Sequence, residues 1–194
     1  MNMNMKIGVL ALQGAFREHI IMLNRLGAAA REVRRPEHLE GIGGLIIPGG
    51  ESTTIGKLMV EYHLMDAIKE MGQKGLPIFG TCAGLVLLAE NIRDSRQPRI
   101  GLLDMEVVRN GFGRQVDSFE EELKIKVLGE VPFRAVFIRA PYVERVGSKV
   151  EVLASYKDRV VMVRQDRILA CSFHPELTDD PRLHQYFLEI VKSP

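Results

Sequence analysis

The sequence predicts an α/β fold: a mostly parallel open sheet flanked by helices, with an antiparallel extension. Three observations carry this. Short apolar runs alternate with helical periodicity through the first half of the chain, as a parallel sheet requires. The second half is rich in strand-like runs with little helix between them. A final amphipathic segment then closes the chain.

The elements follow in order. Residues Lys6 to Leu12 (KIGVLAL) read as a buried strand that ends at Gln13-Gly14. Phe16, Ile20, Leu23 and Leu26 recur at helical spacing across Ala15 to Leu26, and Gly27 supplies the stop. Ala29 to Val33 is a second strand, and Pro36 opens a short helix. Gly44 to Ile47 (GLII) is a third strand, followed by the loop Pro48-Gly49-Gly50-Glu51-Ser52-Thr53-Thr54. Helical pattern then runs to about Lys74 with a break near His63, and Pro77 to Gly80 is the strand before Cys82. The apolar run Leu85 to Ala89 continues as helix. Strands are expected at Leu103 to Arg109, Glu122 to Val127, Ala135 to Arg139, Val150 to Tyr156, Val160 to Gln165 and Ile168 to Cys171. Asp180-Pro181 starts the closing helix through Leu183, Tyr186, Phe187, Ile190 and Val191.

The length of 194 residues and the lack of a linker, repeat or low-complexity tract fit one domain over residues 1–194. The formal net charge of +1 gives no electrostatic reason to expect nucleic acid or an anionic membrane as partner. No apolar run approaches the roughly 20 residues of a membrane span, and Met1 to Met5 lack the apolar stretch of a signal peptide. With only Cys82 and Cys171, a disulfide scaffold is not expected, and the chain reads as cytoplasmic. No His/Cys spacing suits zinc, so neither a metal nor a cofactor is expected.

The chemistry concentrates at Cys82. In Phe79-Gly80-Thr81-Cys82-Ala83-Gly84-Leu85 a strand turns sharply into a helix with the thiol at the turn. A helix N-terminus favours thiolate there. A free thiol, with a pKa of about 8.5, is mostly protonated at neutral pH and needs such help. His174 and Glu176, in Ser172-Phe173-His174-Pro175-Glu176, supply a base and a group to orient it. Sequence distance is no objection, because folds assemble such triads. The Ala83 N–H is one candidate oxyanion donor, and the Gly49-Gly50 loop supplies a second at Gly50. These residues point to acyl transfer through a thioester: amidase, peptidase or acyltransferase. The Pro48–Thr54 loop lacks the Gly-Lys-Ser/Thr ending of a phosphate loop. Cys171 reads as a buried small side chain. His19, His38, His63 and His184 lie in helical or loop contexts and read as solvated or capping residues.

Gly80-Thr81-Cys82-Ala83-Gly84 with His174-Pro175-Glu176 resembles the class I (triad) glutamine amidotransferases. Gly8–Gly14, Pro48–Thr54, Arg109–Gln115 with Ser118-Phe119, Phe137–Pro141 and Ser172–Thr178 narrow the resemblance to the family of glutaminase subunits of pyridoxal 5′-phosphate synthases. It implies a flavodoxin-like class I glutamine amidotransferase fold. It also implies hydrolysis of L-glutamine to glutamate and ammonia, passed to a separate β/α-barrel synthase subunit in trans for vitamin B6 synthesis. Carried onto this chain, Cys82 is the nucleophile, His174 the base and Glu176 the orienter. Gly50, Glu51 and Ser52 bind glutamine and help form the oxyanion hole, with Arg109, Ile138 and Arg139 lining the substrate site. Gln13 matches a position near the junction with the synthase subunit.

Overall fold

The computed structural model describes residues 6–112 and 117–193. The first five residues and the Gly113-Arg114-Gln115 end of the Arg109–Gln115 motif lie outside them.

The parallel part is built from β1 (Lys6–Leu10), β2 (Ala29–Val33), β3 (Gly44–Ile47), β4 (Ile78–Thr81) and β12 (Ile168–Cys171), in the order β2-β1-β3-β4-β12. β3, β4 and β12 are buried at every position, which their continuous apolar sequences permit only with both sheet faces covered. The sheet continues through β11 (Arg159–Gln165), β9 (Tyr142–Val146), β6 (Leu103–Val108) and β5 (Ala89–Ile92), while β10 (Glu151–Tyr156) pairs with β11. β12, β11, β9 and β6 pair antiparallel, and this is the expected extension.

Helices α1 (Phe16–Arg25) and α5 (Arg182–Lys192) cover one face. Their Leu23, Leu183, Phe187 and Ile190 pack with Ile7, Val9, Ile46 and Phe79. Helices α2 (Ser52–Glu61), α3 (Leu64–Gln73) and α4 (Ala83–Leu88) cover the other, where Ile55, Met59, Ile68 and Leu87 meet Leu45, Ile47 and Ile78. His63 separates α2 from α3 in a left-handed conformation, φ 58°, at the expected break.

A separate hairpin of β7 (Ser118–Leu123) and β8 (Phe133–Ile138) stands beside the sheet. It is tied to the site, because the His174 backbone N–H donates to the Val136 carbonyl at 2.8 Å.

The structure corrects several boundaries. The strand expected over Glu122–Val127 lies at Ser118–Leu123, and Lys126–Leu128 forms a 3-10 turn. The register is set by Phe119 facing Phe137 across the hairpin, a pairing that outweighs the alternation in Lys124–Val127. Ala89–Ile92 is a strand beside β6 and not an extension of the helix. The Leu85–Ala89 run is wholly buried, so its periodicity could not separate helix from strand. Tyr142–Val146, whose Glu144 and Arg145 mask its strand character, pairs with both β6 and β11. β1 stops at Leu10, two residues short of the expected end.

Candidate active site

Four loops leave the carboxyl ends of β1, β3, β4 and β12, where open α/β sheets bind ligands. They converge on a cleft of about 400 Å³. Cys82 stands between β4 and α4 with φ 50°, a conformation few non-glycine residues adopt and one that commonly stores strain at functional sites. The neighbouring strand holds this turn, since the Cys82 N–H donates to the Cys171 carbonyl at 2.8 Å. The side chain is buried in the cleft floor, with Sγ 3.9 Å from the Ile138 carbonyl oxygen.

His174 follows β12, and its Nδ1 lies 2.6 Å from Glu176 Oε1. That leaves Nε2 for the thiol. Burial alone would push the imidazole pKa down. Hydrogen bonds to Cys82 and Glu176, with the charge on Glu176, outweigh it and raise His174 to about 10. At neutral pH the ring therefore carries its proton.

The glycine loop crosses directly over this pair. A Cβ at Gly49 would overlap the His174 ring and sit 3.2 Å from the Cys82 Cβ. The Ala15 N–H holds the Gly49 carbonyl at 3.0 Å. Across a trans peptide this turns the Gly50 N–H the opposite way. Gln13 Oε1 fixes the next residue, accepting from the Glu51 N–H at 2.8 Å. The Ala83 N–H opens α4 and has no intrahelical acceptor. Gly50 and Ala83 both line the cleft.

Every site residue expected from the sequence is here. Gly50, Glu51, Ser52, Cys82, Ala83, Arg109, Ile138, Arg139 and His174 line the cleft together with Gln13. Glu176 sits behind His174, 6% exposed. Among the described residues no group of three His, Cys, Asp or Glu is placed to hold a metal, and no helix is long and apolar enough to cross a membrane.

Two features escaped the sequence. Gln97, 9% exposed, accepts through Oε1 from Arg109 Nη1 at 2.8 Å and from Ser52 Oγ at 3.3 Å. It lies in a coil segment without periodicity, so nothing marked it. His19 and His184 are fully buried, against the expectation of solvated or capping residues. The signal was present for His19: it stands three residues after Phe16 and four before Leu23, on the apolar stripe of α1. His38 and His63 remain half-buried and exposed, respectively.

The chain is similar to known glutamine amidotransferase proteins. The model of the SNO glutamine amidotransferase family matches residues 9–193. The pyridoxal 5′-phosphate synthase subunit PdxT of Moorella thermoacetica is 62% identical over 187 residues, 96% of this chain and 100% of the relative. The subunit of the same name from Pelotomaculum thermopropionicum is 62% identical over 185 residues, 95% of this chain and 94% of the relative. A solved structure described as a glutamine amidotransferase superposes with a TM-score of 0.92 at 56% identity, covering 96% of this chain and 99% of its own.

Proposed function

This chain belongs to the SNO glutamine amidotransferase family, and on that premise we propose that residues 1–194 act as one glutaminase domain with Cys82, His174 and Glu176 as its reacting set. The chain is the glutaminase subunit of a pyridoxal 5′-phosphate synthase. It hydrolyses L-glutamine to glutamate and supplies the ammonia to a separate synthase barrel subunit. The single observation that carries the reading is the cleft itself: a Cys82–His174 pair backed by Glu176, under a glycine loop and beside two arginines.

The Cys82 thiolate attacks the side-chain amide carbon and forms a C–S bond. The carbonyl electrons move onto oxygen, which the N–H groups of Ala83 and Gly50 receive. One such donor is typically worth about 2.7–4 kcal/mol of barrier. As the C–N bond breaks, His174 gives its proton to the nitrogen and ammonia leaves. Water then attacks the thioester, His174 takes its proton, and glutamate departs as the thiolate is restored. Glu176 holds the imidazole so that the same nitrogen serves both steps. Arg109 and Arg139 offer cations to the α-carboxylate of glutamine, and Glu51, Ser52 and Ile138 complete the substrate wall.

The test is glutamate release from L-glutamine with and without the pyridoxal 5′-phosphate synthase barrel subunit. Release stimulated by that subunit, and abolished by Cys82→Ala, is the expected result. Equal release with and without the subunit would remove the coupling, and full activity in Cys82→Ala would remove the nucleophile assignment.

A further inference from the structure

Behind the triad lie two histidines that the reaction above does not use. His19 on α1 and His184 on α5 are fully buried. His19 Nδ1 is 2.9 Å from His184 Nε2. On its other side, His19 Nε2 lies 3.2 Å from Thr81 Oγ1 and 3.5 Å from Glu176 Oε2. That buried carboxylate oxygen accepts no hydrogen bond of ordinary geometry, although its twin Oε1 is held by His174. The groups facing His19 are thus Thr81 from β4, His184 from α5, and Glu176 with His174 from the segment after β12. The buried Cys171 thiol also feels the Glu176 charge.

The tautomers of the two rings can be assigned from these partners. Only one proton fits between His19 Nδ1 and His184 Nε2. If His19 supplies it, its Nε2 lone pair can accept from the Thr81 hydroxyl but also faces the Glu176 carboxylate. His184 then carries its own proton on Nδ1, a buried atom with no acceptor. If His184 supplies it, His19 carries its proton on Nε2 and turns an N–H toward Thr81 Oγ1 at 3.2 Å and the carboxylate at 3.5 Å. Only a lone pair is then left unpaired at His184 Nδ1. A buried orphan N–H is rarer than an orphan lone pair, and a lone pair against a carboxylate is repulsive. The second arrangement avoids both costs. Burial, with His184 and His174 nearby, also holds His19 well below its ordinary pKa, so the ring is a neutral donor with one N–H to place.

We propose that His19 is a positioning residue of this active site: its Nε2–H, lying between Thr81 Oγ1 and the outer oxygen of Glu176, steadies that carboxylate, and His184 fixes the tautomer that allows it. Steadied at both oxygens, the carboxylate keeps one rotamer, and His174 keeps the orientation that its two proton transfers need. The inference rests on the reading of Cys82, His174 and Glu176 as the reacting set.

The test is a double-mutant cycle between His19 and Glu176, read in two assays on the full chain. In glutamate release with the synthase subunit, His19→Leu should lower kcat about tenfold to hundredfold, the worth of a hydrogen bond to a charged group. KM for glutamine should stay within about twofold. His19→Gln, whose amide N–H reaches the position of Nε2, should retain most of the rate. In a Glu176→Ala background, adding His19→Leu should cost less than about twofold, because the partner is already gone. The second assay is the rate of Cys82 alkylation by iodoacetamide, followed by mass spectrometry, which needs neither glutamine nor the synthase subunit. The same coupling should appear there. Equal loss in His19→Leu and His19→Gln, or full additivity with Glu176→Ala, would make His19 merely structural and overturn the proposal. Coupled alkylation in a chain that releases no glutamate would sink the glutaminase reading and leave the role of His19 standing.

Discussion

At Gly49 the working part of the residue is the space a side chain would fill. Gly49→Ala should push the His174 ring off the thiol, because the new methyl group occupies the ring's position. A displacement near 1 Å costs on the order of a hundredfold in rate, so kcat for glutamate release should fall by about that much. The loop lies at the cleft rim, and circular dichroism should show the fold intact. Wild-type turnover in Gly49→Ala would mean that the loop does not sit over the pair. Gln97 acts on the other half of the reaction. Its Oε1 is the acceptor that aims Arg109 and steadies Ser52. Gln97→Leu should release the guanidinium and raise KM for glutamine about tenfold with kcat little changed, the pattern of lost uniform binding. A fall in kcat at constant KM would place Gln97 in the transition state instead.

Elements turn these residues into a site, and they differ in how plainly the sequence announces them. The strand–elbow–helix at Cys82 is legible because Gly80 and Gly84 flank the thiol and an apolar run leads into each side. The loops at Gln13-Gly14 and Gly49-Gly50 are legible for the same reason, and the strand ends gather them at one edge. The sequence pattern starts the first strand of the β7–β8 hairpin four residues late, because the register depends on a contact across the turn. Phe119 stacks on Phe137 with ring centroids 4.6 Å apart and planes at 8°. This contact bears on the site, since β8 ends at Ile138, carries Arg139 just beyond, and anchors the His174 backbone through Val136. Phe119→Ala should cost about 2 kcal/mol from lost stacking and burial, seen as a lower urea midpoint. KM for glutamine should rise as the Ile138–Arg139 wall loosens. If stability falls while KM stays fixed, the hairpin is a brace only. The burial of His19 is legible on the apolar stripe of α1, but its contacts and those of Gln97 are not, for a related reason. Their roles are set by partners 12 to 165 positions away in the chain, which no local pattern records.

For the whole molecule, the buried histidines His174, on one side of Glu176, and His19 with His184, on the other, give the fold opposite responses to pH. His174 is raised to about 10, so its contribution to stability is fully present below the unfolded-state value near 6.5 and is lost as pH rises through 10. His184 is lowered to about 4 by burial alone. The unfolded chain takes up that proton first, so the contribution of His184 is present above 6.5 and is lost as pH falls toward 4. His19 is lowered in the same direction. Together they place the stability maximum of these groups near neutrality, where His174 is still protonated and the His19–His184 pair is neutral. Between pH 6.5 and 4 the His184 linkage is worth on the order of 3 kcal/mol. His184→Gln removes the titrating ring while its amide can still donate toward His19 Nδ1. The variant should lose less stability than the wild type over that interval, measured as urea midpoints at pH 6.5, 5 and 4. Parallel losses in the two proteins would show that His184 exchanges protons freely in the folded state, and the neutral tautomer chain behind Glu176 would then have no acid limit of its own.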